Sequence, residues 1–150
     1  MKKIKIDDLI AKKNREKIVM ITAYDALFAR LFDEFADMIL IGDSLNMSFG
    51  GSSETLGISV DEMIYHTKAV QRATKRAFLV VDMPFGSVIT PKIALKNAVK
   101  IYKNTFCDAV KIEGGKEMAD TIKLLNQNGI AVIAHIGLKP QLSRQEGGYK

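Results

Sequence analysis

The sequence lacks several features that define whole classes of protein. It has a single cysteine, Cys107, so it can form no intramolecular disulfide and offers no thiolate metal cluster. We expect Cys107 to act as a small buried hydrophobe. No apolar run approaches the roughly 18 residues of a membrane span, and the basic N-terminus lacks the apolar core of a signal peptide. We therefore expect a cytoplasmic protein with no membrane partner.

Disorder and nucleic-acid binding are also poorly supported. Apolar residues make up 47% of the 150 residues and charged residues 26%, which is close to a soluble globular domain and unlike a disordered chain. The net charge of +5 is concentrated in residues 1–20, where seven Lys or Arg accompany three Asp or Glu. Because no RNA-binding or helix-turn-helix signature accompanies this segment, we expect a solvated helix face and no nucleic-acid partner.

The chain alternates short apolar runs with longer amphipathic stretches, and it has no internal repeat or linker. Such alternation predicts β-α units, a parallel sheet and right-handed crossovers. Asp25 and Ser59 are expected N-caps, Glu62 completes a capping box, Pro91 opens a helix and Gly129 follows one. The predicted strands are 18–23, 38–41, 77–81, 109–112 and 130–134, and the predicted helices are 25–36, 60–75, 92–104 and 116–128. Both a doubly wound open sheet and a (β/α)₈ barrel satisfy this pattern.

Polar side chains recur where the predicted strands end. In a parallel α/β barrel the carboxyl ends of all strands share one face, and active sites lie on that face. Residues that are far apart in the sequence would therefore converge there. The candidates are Tyr24, Asp43, Ser44, Asp82, Lys111, Glu113 and His135.

Three carboxylates in this set, Asp43, Asp82 and Glu113, predict a site for a hard cation such as Mg²⁺ or Mn²⁺. Such an ion could chelate a 2-oxo acid, polarise its keto group and stabilise an enolate, and Lys111 would add a positive charge near that anion. Each residue also has a purely structural interpretation. An Asp after a strand is often a helix cap, a strand Lys often lies at a sheet edge, and His135 could be a hydrogen-bonded core histidine.

Seven segments, taken in order and spacing, resemble the ketopantoate hydroxymethyltransferase family. They span nearly the whole chain from residue 17, which makes a chance match very improbable. The segments are Thr22-Ala23-Tyr24-Asp25, Gly42-Asp43-Ser44-Leu45, Tyr65-His66-Thr67, Asp82-Met83-Pro84-Phe85, Val110-Lys111-Ile112-Glu113-Gly114-Gly115, His135-Ile136-Gly137-Leu138 and Gly147-Gly148-Tyr149-Lys150.

The resemblance implies a (β/α)₈ barrel of the phosphoenolpyruvate/pyruvate superfamily. It also implies transfer of a hydroxymethyl group from 5,10-methylenetetrahydrofolate to 2-oxoisovalerate through a Mg²⁺-stabilised enolate, which gives ketopantoate for pantothenate biosynthesis. Family members are homo-oligomers, commonly decamers. Asp43 and Asp82 match direct Mg²⁺ ligands, and Glu113 matches an acidic residue that reaches the metal through water. The residues matched to the substrate are Ser44 and Lys111, with Tyr24 as a possible pocket residue and His135 as an active-site histidine.

Two departures from the family accompany this resemblance. Lys139 stands where the family commonly has Thr, in the segment Gly-Leu-Thr-Pro-Gln. A (β/α)₈ barrel typically needs roughly 250 residues, so residues 1–150 are expected to form one incomplete domain with about five strands and four helices. The family's proton-abstracting Glu is expected beyond residue 150, and we expect a truncated chain to be inactive by itself.

Two alternatives remain open at this point. One is another Mg²⁺-dependent 2-oxo acid enzyme of the isocitrate lyase and phosphoenolpyruvate mutase group, which folate dependence would distinguish. The other is a non-catalytic fragment or assembly module.

Overall fold

The computed structural model describes residues 2–148, which form five strands and six α-helices. Met1, Tyr149 and Lys150 lie outside the described residues, so the segment Gly147-Gly148-Tyr149-Lys150 is described only in its first half. In chain order the elements are α1 (Ile6–Ala11), β1 (Met20–Thr22), α2 (Ala26–Phe32), β2 (Met38–Ile41), α3 (Leu45–Ser48), α4 (Val60–Ala73), β3 (Phe78–Asp82), α5 (Pro91–Asn104), β4 (Ala109–Glu113), a 3₁₀ turn (Lys116–Met118), α6 (Ala119–Gln127), β5 (Val132–His135) and a second 3₁₀ turn (Pro140–Leu142).

The predicted capping residues are confirmed. The Asp25 carboxylate accepts from the Phe28 N–H at 2.9 Å. Ser59 Oγ accepts from the Glu62 N–H at 3.2 Å, and Glu62 Oε2 accepts in return from the Ser59 N–H at 2.8 Å. Pro91 is the first residue of α5, and Gly129 follows α6 with a φ of 78°. These local signals fix where the helices that flank the sheet begin and end.

Helix α2 is shorter than the prediction, since it ends at Phe32 rather than at residue 36. The next residue is Asp33, whose buried carboxylate accepts hydrogen bonds from the backbone N–H groups of Lys75, Arg76 and Ala77 at 2.7 to 3.0 Å. The same contacts end α4 at Ala73, two residues before the predicted end. Asp33 therefore joins the turn after α2 to the entry into β3.

The outer two strands also differ from their predicted bounds. Strand β1 begins at Met20 because the N–H of Val19 donates to Asp37 Oδ2, which lies outside the sheet. Strand β5 begins at Val132 because the N–H of Ala131 donates to the hydroxyl of Tyr102, and it continues to His135. The described residues contain more helical segments than the four that were predicted. The additional ones are helices α1 and α3 and the two 3₁₀ turns.

The order of the strands decides between the two predicted architectures. The sheet runs β1-β2-β3-β4-β5, and every neighbouring pair is parallel. A doubly wound sheet reverses its strand order at a switch point, whereas a barrel adds each strand beside the previous one. The described residues therefore form part of a TIM-type barrel.

The sheet has an outer and an inner face with different contents. The outer face packs Ile39, Leu79 and Val110 against the helices in one large core. The inner face carries a smaller cluster that includes Met38 and Phe78 and is covered at its lower end by Leu9 of α1. Because side chains alternate along each strand, the inner row of β3 and β4 passes from these apolar residues to charged ones at the carboxyl ends.

The basic N-terminal segment makes more contacts with the rest of the protein than predicted. Lys3 Nζ lies 2.8 Å from Asp108 Oδ2 and donates to the Ala77 carbonyl, and Lys12 Nζ lies 2.9 Å from Asp37 Oδ1. The expectation of a solvated face is thus wrong for these two lysines, which fasten the segment to the lower end of the sheet. Among residues 2–148, none of the helices is long and apolar enough to cross a membrane.

Candidate functional site

The predicted polar residues converge at the carboxyl ends of four neighbouring strands. Asp82 ends β3 and pairs in register with Lys111 of β4, while Glu113 pairs with His135 of β5. Asp43 follows β2 by two residues. Since residues 82, 111 and 113 fall on the inner face by strand alternation, their side chains point into the space that the barrel encloses.

Asp43, Asp82 and Lys111 form the buried centre of this site. The Asp43 N–H donates to Asp82 Oδ2 at 3.1 Å, and Lys111 Nζ lies 2.6 Å from Asp82 Oδ1. A Cβ at Gly42 would lie 3.0 Å from Ser44 Oγ and 3.5 Å from Asp82 Oδ2. A side chain at position 42 would therefore require the Ser44 hydroxyl to shift by a few tenths of an ångström.

Burial perturbs the pKa of both aspartates, and neighbouring carboxylates add to the shift of Asp43. Burial and the nearby Asp82 carboxylate raise the pKa of Asp43 to about 7. Burial also raises the pKa of Asp82, although the Lys111 ammonium opposes that shift. Two carboxylates whose charged forms are disfavoured in this way are well suited to an additional positive charge.

Glu113 and His135 form a second pair beside this centre. His135 Nδ1 lies 3.5 Å from Glu113 Oε1. Within residues 2–148, Nδ1 is buried and has no hydrogen-bond partner, so the core-histidine interpretation, which required a hydrogen bond, is not supported. The imidazole is therefore close to a carboxylate while its ring nitrogen still has hydrogen-bonding capacity.

Gln141 belongs to the site but was not predicted. Its Nε2 donates to Asp43 Oδ2 at 2.7 Å and to the Met83 carbonyl at 3.0 Å, and its backbone N–H donates to Glu113 Oε2 at 3.1 Å. The residue lies on the 3₁₀ turn that begins at Pro140, six positions after β5. Gln141 does not lie at a strand end, so the pattern of polar residues at strand ends did not predict it. The one sequence feature that points to it is its place in the Gly-Leu-Lys-Pro-Gln segment.

Tyr24 and Ser44 meet on the β1 and β2 side. The Tyr24 hydroxyl and Ser44 Oγ are 2.9 Å apart. Ser44 precedes α3 but makes no side-chain cap, so its hydroxyl is directed to Tyr24 instead. His66 of α4 supports this pair, because its Nδ1 lies 2.7 Å from the Tyr24 carbonyl oxygen. Sequence comparison noted His66 within a family segment but assigned it no role.

In the described part of the chain, no three His, Cys, Asp or Glu side chains are already grouped as a metal-binding cluster. The Lys111 ammonium lies against Asp82, and the Gln141 amide donates to Asp43. The donor chemistry nevertheless fits a hard divalent ion, because Asp43 and Asp82 offer carboxylate oxygens. Asp82 Oδ1 is buried and, among residues 2–148, accepts no hydrogen bond of good geometry despite its ion pair.

An open cleft of about 320 Å³ adjoins the site, with Glu113 and Gln141 among its lining residues. Its walls come from the loops after β3, β4 and β5, and they are mostly apolar, with Phe85, Ile89 and Leu142 among the lining residues. A cleft of this size and character suits a small organic substrate.

Comparisons with known proteins identify the family of the chain. A sequence model of the family described as ketopantoate hydroxymethyltransferase matches residues 3–150. The 3-methyl-2-oxobutanoate hydroxymethyltransferase of Campylobacter fetus subsp. fetus (strain 82-40) is 79% identical over 150 residues, which are 100% of this chain and 57% of that relative. The enzyme of the same name from Wolinella succinogenes is 61% identical over the same shares of both chains. The chain thus spans little more than half the length of these curated relatives.

Solved structures support the barrel. A 2,3-dimethylmalate lyase of the PEP mutase/isocitrate lyase superfamily superposes with a TM-score of 0.63 and 17% identity, over 89% of this chain and 52% of that one. A phosphoenolpyruvate phosphomutase from Streptomyces platensis subsp. rosaceus gives a TM-score of 0.64 and 18% identity, over 84% of this chain and 51% of that one. At these identities the likeness concerns the fold alone.

Proposed function

Because the chain belongs to the ketopantoate hydroxymethyltransferase family, we propose that the protein transfers a hydroxymethyl group from 5,10-methylenetetrahydrofolate to 2-oxoisovalerate, which yields ketopantoate. The observation that carries the proposal is the convergence of Asp43, Asp82, Lys111 and Glu113 at adjacent strand ends. These are the residues that the sequence assigned to a cation and a 2-oxo acid.

Asp43 and Asp82 would hold Mg²⁺, and Glu113 would be a third, more distant carboxylate. Their oxygen chemistry and the raised pKa values of both aspartates support this assignment. Mg²⁺, when bound, would supply the Lewis acidity that polarises the keto group and acidifies the neighbouring C–H. The buried position of both carboxylates excludes water, which strengthens every charge interaction made there.

Lys111 would bind the anionic 2-oxo acid. Its ammonium is held in place by Asp82, and its side chain is only 12% exposed. A fixed, poorly hydrated cation stabilises negative charge that develops on a bound oxo acid more than a mobile surface lysine does. On the other side of the site, the hydroxyl pair of Tyr24 and Ser44 would orient the substrate carboxylate by hydrogen bonding.

His135 and Glu113 would handle protons at the edge of the site. The imidazole can donate from Nδ1 toward Glu113 when that nitrogen carries a proton. Removal of the C3 proton from 2-oxoisovalerate is not assigned to any residue of this chain. By resemblance to the family, that role belongs to a glutamate beyond residue 150. We also propose a cytoplasmic homo-oligomer, as the resemblance implies.

The test is an assay of the whole gene product with 2-oxoisovalerate, 5,10-methylenetetrahydrofolate and Mg²⁺, in which ketopantoate is measured by mass spectrometry. The Asp82→Asn variant is expected to lose kcat/KM by roughly 100-fold or more, because an essential charge is removed at nearly constant volume. The matched control is Asp61→Asn, which changes a 75% exposed side chain that pairs with Lys100 on the outer helices. Circular dichroism verifies that both variants fold.

Turnover of 2-oxo acids that does not depend on folate would refute the proposal and favour the isocitrate lyase and phosphoenolpyruvate mutase group instead. A complementary calorimetric titration adds 2-oxoisovalerate to the 150-residue chain with and without Mg²⁺. Mg²⁺-dependent binding that Asp82→Asn abolishes is the expected result. Absence of turnover by the whole gene product, together with absence of binding, would favour a non-catalytic module.

A further inference from the structure

Gln141 bridges three strand ends of the site from a position outside the strands. Through its side chain it bonds to the residues that follow β2 and β3, and through its backbone it bonds to the last residue of β4. The partners are separated from it by 98, 58 and 28 positions in sequence. No other residue of the site described above joins three strand ends.

The direction of these hydrogen bonds constrains how Asp43 can act. Gln141 donates to Oδ2 of Asp43, so it fixes the rotation of the carboxylate and leaves Oδ1 for another partner. The Met83 carbonyl accepts a second hydrogen bond from the same amide nitrogen. This contact restricts rotation of the Gln141 side chain. Outer-sphere donors of this kind set the orientation of a carboxylate before a cation arrives.

The backbone contact extends the same control to Glu113. The Gln141 N–H donates to Oε2, and His135 lies beside Oε1, so the two oxygens have separate neighbours. A movement of the Pro140–Leu142 turn would therefore displace Asp43 and Glu113 together.

We propose that Gln141 is a positioning residue that orients Asp43 and Glu113 for a divalent cation. This role rests on the proposed function, because it presumes that these carboxylates bind a metal. It goes further in assigning the alignment of the site to the turn after β5, which lies outside the strand ends that supply the ligands.

The test measures metal binding directly, with Mn²⁺ as the probe for Mg²⁺ and electron paramagnetic resonance as the readout. In the whole gene product, Gln141→Met keeps the length and volume of the side chain but removes both side-chain N–H donors. The backbone N–H that contacts Glu113 remains, so the variant tests the side-chain contact to Asp43. We expect its Mn²⁺ dissociation constant to rise by roughly 10-fold, the lower end of the effect of outer-sphere substitutions. The spectrum of the bound ion should also change, since its ligands are less ordered.

The matched control is Gln127→Met at the exposed end of α6, which should leave both the dissociation constant and the spectrum unchanged. The spectrum of the bound ion separates a role in positioning from one in general stability, because a loss of stability alone would not change the ligand geometry of the ion that remains bound. Unchanged or tighter Mn²⁺ binding by Gln141→Met would overturn the inference but leave the proposed function intact. Failure of the unsubstituted protein to bind Mn²⁺ would overturn both.

Discussion

Replacing Asp33 should reveal how strongly one buried carboxylate holds the turn after α2 against β3. Asp33 is 5% exposed and accepts from three backbone N–H groups, those of Lys75, Arg76 and Ala77. Each hydrogen bond to a charged group contributes about 1.5 to 3 kcal/mol. Only the Ala77 N–H is fully buried with its acceptor, so water can replace part of the other two bonds. We therefore expect Asp33→Ala to destabilise the protein by about 3 to 4 kcal/mol.

The isosteric variant Asp33→Asn keeps one acceptor oxygen but turns an amide N–H₂ toward backbone donors. We expect a loss of about 2 kcal/mol for this variant. Urea unfolding followed by circular dichroism measures both values. With a slope of roughly 2 kcal/mol per molar urea, the midpoint should fall by about 1.5 to 2 M for Asp33→Ala.

Asp25→Ala is the matched control. It also removes a carboxylate that accepts from a backbone N–H at the other end of α2, but that hydrogen bond is exposed. Loss of such a cap should cost about 1 kcal/mol. If Asp33→Ala lowers the stability no more than Asp25→Ala does, the Asp33 carboxylate does not stabilise the contact between the turn after α2 and β3 in the way that its hydrogen bonds indicate.

Two further predictions concern titratable groups. Although burial opposes it, the Val19 N–H and the Lys12 and Arg76 cations hold the pKa of Asp37 below its ordinary value of 3.8. The contribution of Asp37 to stability should be complete above pH 3.8 and should vanish as the pH falls through the lower pKa of the folded state. The unfolding curves of the protein and of the Asp37→Asn variant should therefore converge in acid but differ at neutral pH. Burial raises the pKa of the Cys107 thiol to about 11. Iodoacetamide at pH 8 should therefore alkylate it about 100-fold more slowly in the folded protein than in urea, and equal rates would show that the thiol is accessible.

Local sequence signals predicted most of the fold because they act over a few residues. The capping box of Ser59 and Glu62 and the Pro91 helix start are complete within one turn, and the structure has both. Apolar runs located every strand of the sheet to within about two residues, which is the usual uncertainty of an element boundary. The choice between barrel and open sheet could not be made in this way, since it depends on which strands are neighbours.

The errors have a common physical cause, which is a contact with a distant part of the chain. Helix α4 stops early because the N–H groups that follow it donate to Asp33, which is more than 40 positions away. β5 starts late because the Ala131 N–H reaches Tyr102. Neither partner can be inferred from the pattern around the residue itself.

The residues of the site also divide into those that the sequence predicts and those that depend on distant contacts. Asp43, Asp82, Lys111 and Glu113 were predictable, because the topology of parallel strands brings the ends together whatever the loops do. Gln141 was not predictable, because its place depends on how the 3₁₀ turn at Pro140–Leu142 folds back over β4. Residues supplied by such turns require a structure to be found.

The sequential strand order has a consequence for how the protein is made on the ribosome. Each new strand is hydrogen-bonded to the one synthesised just before it, so the sheet can grow at a single edge as the chain emerges. The charged residues of β3 and β4 are added in that order, and Asp43 gains its Gln141 partner only after β5 has been translated. Until then, Asp43 lacks the amide that orients it, so the contacts of the site are completed only once residue 141 has been synthesised.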